Sequence, residues 1–300
     1  MKENKVVMAG AGVMGASLAQ VYALAGYDTY VYDIYEAGLE KGKHLISINQ
    51  EMMVKEGLIT AEESKAALAR MTFTLDKECF RDCCLVVDST VERMDIKQNF
   101  FAEISEIAPA EALLATNTSG LKITEIAKAC KHPERFMGQH WLNPPHLLPL
   151  CEIIAGEQTS PENVQKMRKL VEGLGKQPVV VADINGFIIN RIQFAVLREA
   201  LHIVDIGAAS IEDVDTVLKA GMGLRDAALG PFGVADFGGL DTFDHINSYL
   251  NAELDDSKVG NKRLHEMVQA GKLGVKSGQG FYDYSGDKAD EAIRERDRLY

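Results

Sequence analysis

The sequence predicts an α/β chain: a doubly wound parallel sheet of Rossmann type, followed by a smaller all-α domain. Three features carry this expectation. Apolar runs of strand length alternate with helical periodicity over residues 1–183, a glycine-rich turn joins the first strand to the first helix, and strand signals fade after Asp183. The expected domains are therefore 1–183 and 184–300.

Taken in order, residues 5–9 are a short apolar run, residues 14–25 have helical spacing closed by Gly26, and residues 28–32 have the β-branched and aromatic character of a strand. A long charged helical stretch covers 37–69 and includes Thr60-Ala61-Glu62-Glu63, which resembles a capping box. Strands are expected at 71–75, 85–88, 113–116 and 136–141, with helices at 96–107 and 123–130 between them. Two more short strands, 151–155 and 178–181, flank a helix over 161–174 that has Pro161 in its first turn. Helical periodicity then runs over 184–206 and 211–220. Glycine-rich turns at Gly221-Met222-Gly223, Gly230-Pro231-Phe232-Gly233 and Gly238-Gly239 are expected to punctuate short helices.

Composition narrows the function classes. The 300 residues carry 32 Lys plus Arg against 44 Asp plus Glu, a net charge of −12, so duplex nucleic acid would be repelled. A small anionic ligand needs only a local cluster of donors. The charged start Met1-Lys2-Glu3-Asn4-Lys5 is no signal peptide, and no apolar run reaches the roughly eighteen residues of a membrane span, so a soluble, cytoplasmic protein is expected. Cys79, Cys83, Cys84, Cys130 and Cys151 form no Cys-x-x-Cys pair and read as reduced structural thiols; a Cys83/Cys84 redox switch is disfavoured by the apolar run they open. No metal site is expected.

Gly10-Ala11-Gly12-Val13-Met14-Gly15 matches G-x-G-x-x-G between a strand and a helix. Gly10 permits the tight turn, Gly12 lets the backbone approach a pyrophosphate, and Gly15 lets the helix pack close to the strand, while the amides around Val13 and Met14 face the phosphates. Asp33 ends the second strand at the distance expected of a carboxylate that binds the adenosine ribose. With Ile34-Tyr35-Glu36 after it and no adjacent cation, NAD is expected as cofactor rather than NADP.

Oxidising an alcohol with NAD needs a base and donors for the oxygen. His140 ends a strand of the expected sheet, where ligands bind in open α/β folds. The turn that follows it leads to a strand carrying Glu152, which would bring the carboxylate against the imidazole. By position alone, His140 is open to two readings, a packed structural residue or a general base.

Several ordered motifs resemble the L-3-hydroxyacyl-CoA dehydrogenase family: Gly138-Gln139-His140-Trp141-Leu142-Asn143-Pro144, Glu152, and Gly186-Phe187-Ile188-Ile189-Asn190-Arg191. Ala115-Thr116-Asn117-Thr118-Ser119, Gly230-Pro231-Phe232, Gly239-Leu240-Asp241-Thr242 and Lys276-Ser277-Gly278-Gln279-Gly280-Phe281-Tyr282 extend the match over nearly the whole chain. The resemblance implies His140 as base, Glu152 as its orienting partner, and Ser119 and Asn190 as donors to the substrate oxygen, Asn190 from the first helix of the second domain. It also implies Glu92, Lys97, Ser119, Asn143 and Lys276 as cofactor contacts, and a homodimer through the helical domain.

The reaction so implied is NAD-dependent oxidation of a 3-hydroxyl, most simply on a short L-3-hydroxyacyl-CoA such as 3-hydroxybutyryl-CoA. Two departures point to a sister branch acting on free hydroxy acids, such as L-gulonate and carnitine dehydrogenases. Pro149 stands where acyl-CoA members have a lysine, and the stretch around Arg225 is longer than their pattern. Arg225 could clamp a substrate carboxylate or serve only in a surface ion pair. Lys41, Lys43, Lys55 and Lys65 offer positive charge for CoA without any one standing out, and a catalytically silent NAD-binding relative is the remaining alternative.

Overall fold

The computed structural model describes residues 1–300 and divides into two compact units, residues 1–190 with Tyr300 and residues 191–299. In the first, eight strands form one sheet: β1 (Lys5–Ala9), β2 (Asp28–Tyr32), β3 (Met71–Thr74), β4 (Leu85–Asp88), β5 (Leu113–Thr116), β6 (Phe136–Trp141), β7 (Leu150–Ala155) and β8 (Gln177–Ala182). Their order is β3-β2-β1-β4-β5-β6-β7-β8. The chain winds outward from β1 in one direction and from β4 in the other, so the carboxyl ends of β1 and β4 flank the crevice where open α/β sheets bind ligands.

One pairing departs from the parallel sheet expected: β6 and β7 are antiparallel, while every other neighbouring pair is parallel. The connection over residues 142–149 is too short for a crossover helix, so the chain must fold straight back. The register of that return sets His140 directly opposite Glu152.

Helices α1 (Val13–Leu24), α2 (Glu36–Lys55), α3 (Ala61–Ala69), α4 (Met94–Ile107), α5 (Ile123–Ala127) and α6 (Pro161–Gly173) belong to this unit. Thr60 and Glu63 cap α3 reciprocally: the Thr60 hydroxyl accepts from the Glu63 amide, and the Glu63 carboxylate accepts from the Thr60 amide. Strands β1 and β4 are buried on both faces, consistent with their unbroken apolar sequence. One apolar cluster gathers Val6, Met8, Leu18 and Tyr22 with Met137 and Ile153; the other gathers Val7, Phe80, Phe101, Phe136 and Phe187.

The second unit is helical: α7 (Ile189–Asp205, beginning in the first unit), α8 (Ile211–Val217), α9 (Leu224–Gly238), α10 (Leu240–Leu250), α11 (Lys262–Gln269) and α12 (Lys288–Leu299). Gly221 and Gly223 do not end a helix as expected. The backbone winds through Leu218–Gly223 as a π-helical stretch, because an isolated glycine weakens a helix without forbidding it. Gly230 does kink the chain (φ 70°) ahead of Pro231, and Gly239 (φ 89°) separates α9 from α10. No helix is long and apolar enough to cross a membrane. All five cysteines are free, and burial raises their thiol pKa values, to about 12 for Cys79, Cys83 and Cys130.

Candidate active site

The dinucleotide cradle follows from β1. Gly10 has φ +100°, and a Cβ there would lie 2.7 Å from the Ser89 carbonyl oxygen, so only glycine fits between the ends of β1 and β4. A Cβ on Gly15 would sit 1.8 Å from the Gly10 oxygen, which explains how closely α1 approaches the strand. At Gly12 the added atom would meet nothing within 4 Å, so that backbone faces open space. Gly12 also caps α1 without a side chain, and no acidic residue lies in the first turn, so the amides about Val13 and Met14 and the positive end of the helix remain available to a pyrophosphate. Asp33 accepts from the Ala11 amide at 2.8 Å and from the Tyr35 amide at 3.0 Å, which presents its carboxylate at the edge of the loop. These residues fit NAD.

Across the sheet, His140 and Glu152 are both nearly fully buried, and His140 Nδ1 lies 2.8 Å from Glu152 Oε2. The carboxylate can only accept, so Nδ1 carries the proton and Nε2 is left as the basic nitrogen. The other Glu152 oxygen accepts from the Ile188 and Ile189 amides at 2.9 and 3.0 Å, which serves the uncapped start of α7. Burial alone would raise the Glu152 pKa. The hydrogen bonds from His140 and from the Ile189 and Ile188 amides outweigh it and hold the carboxyl below its ordinary value of 4.5.

That arrangement depends on an unusual turn. Phe187 has a left-handed backbone (φ 50°), costly for an aromatic residue, and it is fully buried with its ring centroid 5.4 Å from that of His140. Packing of the ring offsets the strain and aims the next two amides at Glu152. Asn190 follows at once, and its Nδ2 donates to the Ser119 carbonyl at 2.7 Å. Ser119 is in turn held by Glu92, whose Oε1 accepts from the Ser119 amide at 2.9 Å and from the Thr118 hydroxyl at 2.5 Å. His140, Glu152, Asn190, Ser119 and Glu92 are thus joined by hydrogen bonds and two residues of backbone.

The remaining expected positions fall as follows. Asn143 is exposed in the turn after β6, with a cis peptide to Pro144. Lys97 is fully buried and paired with Asp88 at 2.7 Å. Lys276 and Arg225 lie in the second unit, Lys276 lining a cavity of about 680 Å³ and Arg225 exposed in the first turn of α9. Sequence reasoning assigned no part to Phe187, Asp88, Thr118 or Asn117, whose Oδ1 accepts from the Trp141 amide at 3.0 Å. Phe187 lay within a recognised motif, but nothing in the one-dimensional pattern marks its backbone as strained.

Residues 5–184 match the family description "3-hydroxyacyl-CoA dehydrogenase, NAD binding domain", and residues 186–284 match "3-hydroxyacyl-CoA dehydrogenase, C-terminal domain". The chain belongs to the 3-hydroxyacyl-CoA dehydrogenase family. It is 41% identical over 276 residues to a probable 3-hydroxybutyryl-CoA dehydrogenase of Deinococcus radiodurans, covering 92% of this chain and 98% of that one. To the 5-formyl-3-hydroxy-2-methylpyridine 4-carboxylate 5-dehydrogenase of Mesorhizobium japonicum it is 33% identical, with 98% and 95% covered. Among solved structures, a dehydrogenase of that same pyridine carboxylate, described as an NAD+-dependent dismutase, superimposes with a TM-score of 0.91 at 32% identity, over 99% of this chain and 96% of that one. The (S)-3-hydroxybutyryl-CoA dehydrogenase of Ralstonia eutropha gives 0.78 at 32% identity, over 95% and 100%. This member of the 3-hydroxyacyl-CoA dehydrogenase family is an NAD-dependent oxidoreductase.

Proposed function

We propose that the chain oxidises the 3-hydroxyl of a short L-3-hydroxyacyl-CoA, such as 3-hydroxybutyryl-CoA, reversibly to the ketone. The observation that carries this is the buried His140–Glu152 pair, set by strand register and linked to Asn190 and Ser119. His140 Nε2 takes the hydroxyl proton, and Glu152 holds the tautomer and offsets the imidazolium charge that forms. Asn190 and Ser119 donate to the substrate oxygen as it becomes a carbonyl. NAD, when bound, accepts the hydride. Gly10, Gly12, Val13, Met14, Gly15 and Asp33 would hold the cofactor, with Glu92, Ser119, Asn143 and Lys276 as further contacts.

The high structural similarity to a dehydrogenase of a pyridine carboxylate favours a second reading, a substrate with a free carboxylate, here a hydroxy acid, with Arg225 as its carboxylate clamp. Initial rates separate the two. Acetoacetyl-CoA with NADH is expected to turn over faster than any of a panel of free hydroxy acids with NAD. Turnover of the free acids alone would remove the CoA reading.

A homodimer through the helical unit and a cytoplasmic location belong to the same proposal. Within residues 191–299 Leu201 is the only buried hydrophobic residue, whereas Phe232 and Phe237 are 86% and 84% exposed. A helical unit of this size needs more apolar cover than it has alone, and a second copy is the occupant the family resemblance implies.

A further inference from the structure

The carboxyl end of β4 holds an ion pair for which the hydride-transfer chemistry has no direct use. Asp88 and Lys97 are both completely shielded from solvent, with Lys97 Nζ donating to Asp88 Oδ2 at 2.7 Å. The same carboxylate accepts from the Thr116 hydroxyl at 2.7 Å and from the amide and hydroxyl of Thr90 at 2.8 and 2.5 Å. Two ions taken out of water lose much of what their attraction returns, so such a pair is weak evidence for stability. With both carboxylate oxygens occupied, what it provides here is a fixed geometry.

That geometry extends outward to the NAD site. Lys97 Nζ lies 3.4 Å from the Thr90 carbonyl and 3.7 Å from Glu92 Oε2, so one ammonium anchored in the core also faces the half-exposed carboxylate of Glu92. Glu92 uses its other oxygen to hold Thr118 and Ser119. On the opposite side of the same turn, the Ser89 carbonyl is the atom against which Gly10 packs.

We propose that Asp88 and Lys97 are positioning residues for the cofactor site: together they anchor the turn over residues 89–92 and Glu92, and through Glu92 the Ser119 segment. Both side chains are completely shielded from solvent, so they act on the site through the turn they anchor. This differs from the direct contact that the sequence resemblance implies for Lys97. The inference rests on the NAD site and not on the acyl-CoA reading.

The test is NADH affinity, read by fluorescence titration without substrate, alongside Tm. Lys97→Met alone strands a buried carboxylate and is expected to lower Tm. The double variant Asp88→Asn/Lys97→Met removes both charges and is expected to recover most of that loss, yet still to bind NADH about tenfold more weakly than the parent chain. In that background Glu92→Gln is expected to add little, whereas in the parent chain Glu92→Gln alone weakens NADH binding. A double variant with parental NADH affinity overturns the proposal, as does a Glu92→Gln effect of equal size in both backgrounds. Should the double variant not fold, Glu92→Gln decides: unchanged NADH affinity at this half-exposed position breaks the route from the ion pair to Ser119 and overturns it as well. Failure of acetoacetyl-CoA as substrate leaves this titration unaffected, so the two claims fail separately.

Discussion

At the scale of single residues, the site assigns each hydrogen-bonding atom of Glu152 a separate task. One oxygen fixes the His140 tautomer and the other completes the start of α7, so Gln cannot replace Glu without presenting a donor to one of two donors. His140→Gln is expected to lower kcat by roughly a hundredfold or more while NADH affinity is nearly unchanged. An unaltered kcat would remove His140 from the mechanism. Glu152 also makes a prediction about acid stability. Its pKa in the folded chain is below the ordinary 4.5, so the unfolded chain binds the proton more tightly, and the stabilisation is fully present above that value and lost as pH falls through the folded pKa. Denaturant titrations of the parent chain and Glu152→Gln should therefore differ by a constant amount near neutrality and converge in acid; a gap that persists unchanged to about pH 3 would contradict the assignment.

At the scale of elements, the alignment proposed for catalysis comes from a strand pair and a turn. The antiparallel return of β7 on β6 places His140 against Glu152, and the left-handed turn at Phe187 delivers the α7 amides to the same carboxylate. Phe187→Ala should cost about 3 kcal/mol or more through the cavity it leaves, measured by denaturant unfolding, and should also lower kcat. Full stability with full activity would show that the ring supports neither the core nor His140. The residues on either side of this machinery were legible in sequence because they are local. The glycine loop, Asp33, the Thr60 capping box and the strand carrying His140 each leave a signal within a few positions. Asp88 was legible only as the end of a strand. Its role depends on Thr116 and Lys97, which arrive from the next strand and the next helix, and no pattern within β4 announces them.

At the scale of the whole molecule, two units differ in how they are stabilised. The first has two continuous apolar clusters on the faces of its sheet. The second leaves Leu224, Phe232, Phe237 and Leu240 largely exposed. Multi-angle light scattering is expected to give twice the 32.9 kDa mass of one chain, and Phe232→Glu/Phe237→Glu is expected to shift the population toward monomer. A monomeric parent chain at micromolar concentration would refute the dimer.

Sequence by itself determined the α/β class and the glycine cradle with its acidic partner, because these depend on periodicity, steric size and short spacing; it singled out His140 and Glu152 only through the ordered motifs that resemble the family. Tertiary structure decided which way β7 runs, which backbone amides Glu152 receives, and that Lys97 turns inward to Asp88. Each of those is a contact between residues brought together by folding, and a buried charge or a strained φ has its energy set by neighbours that are distant along the chain.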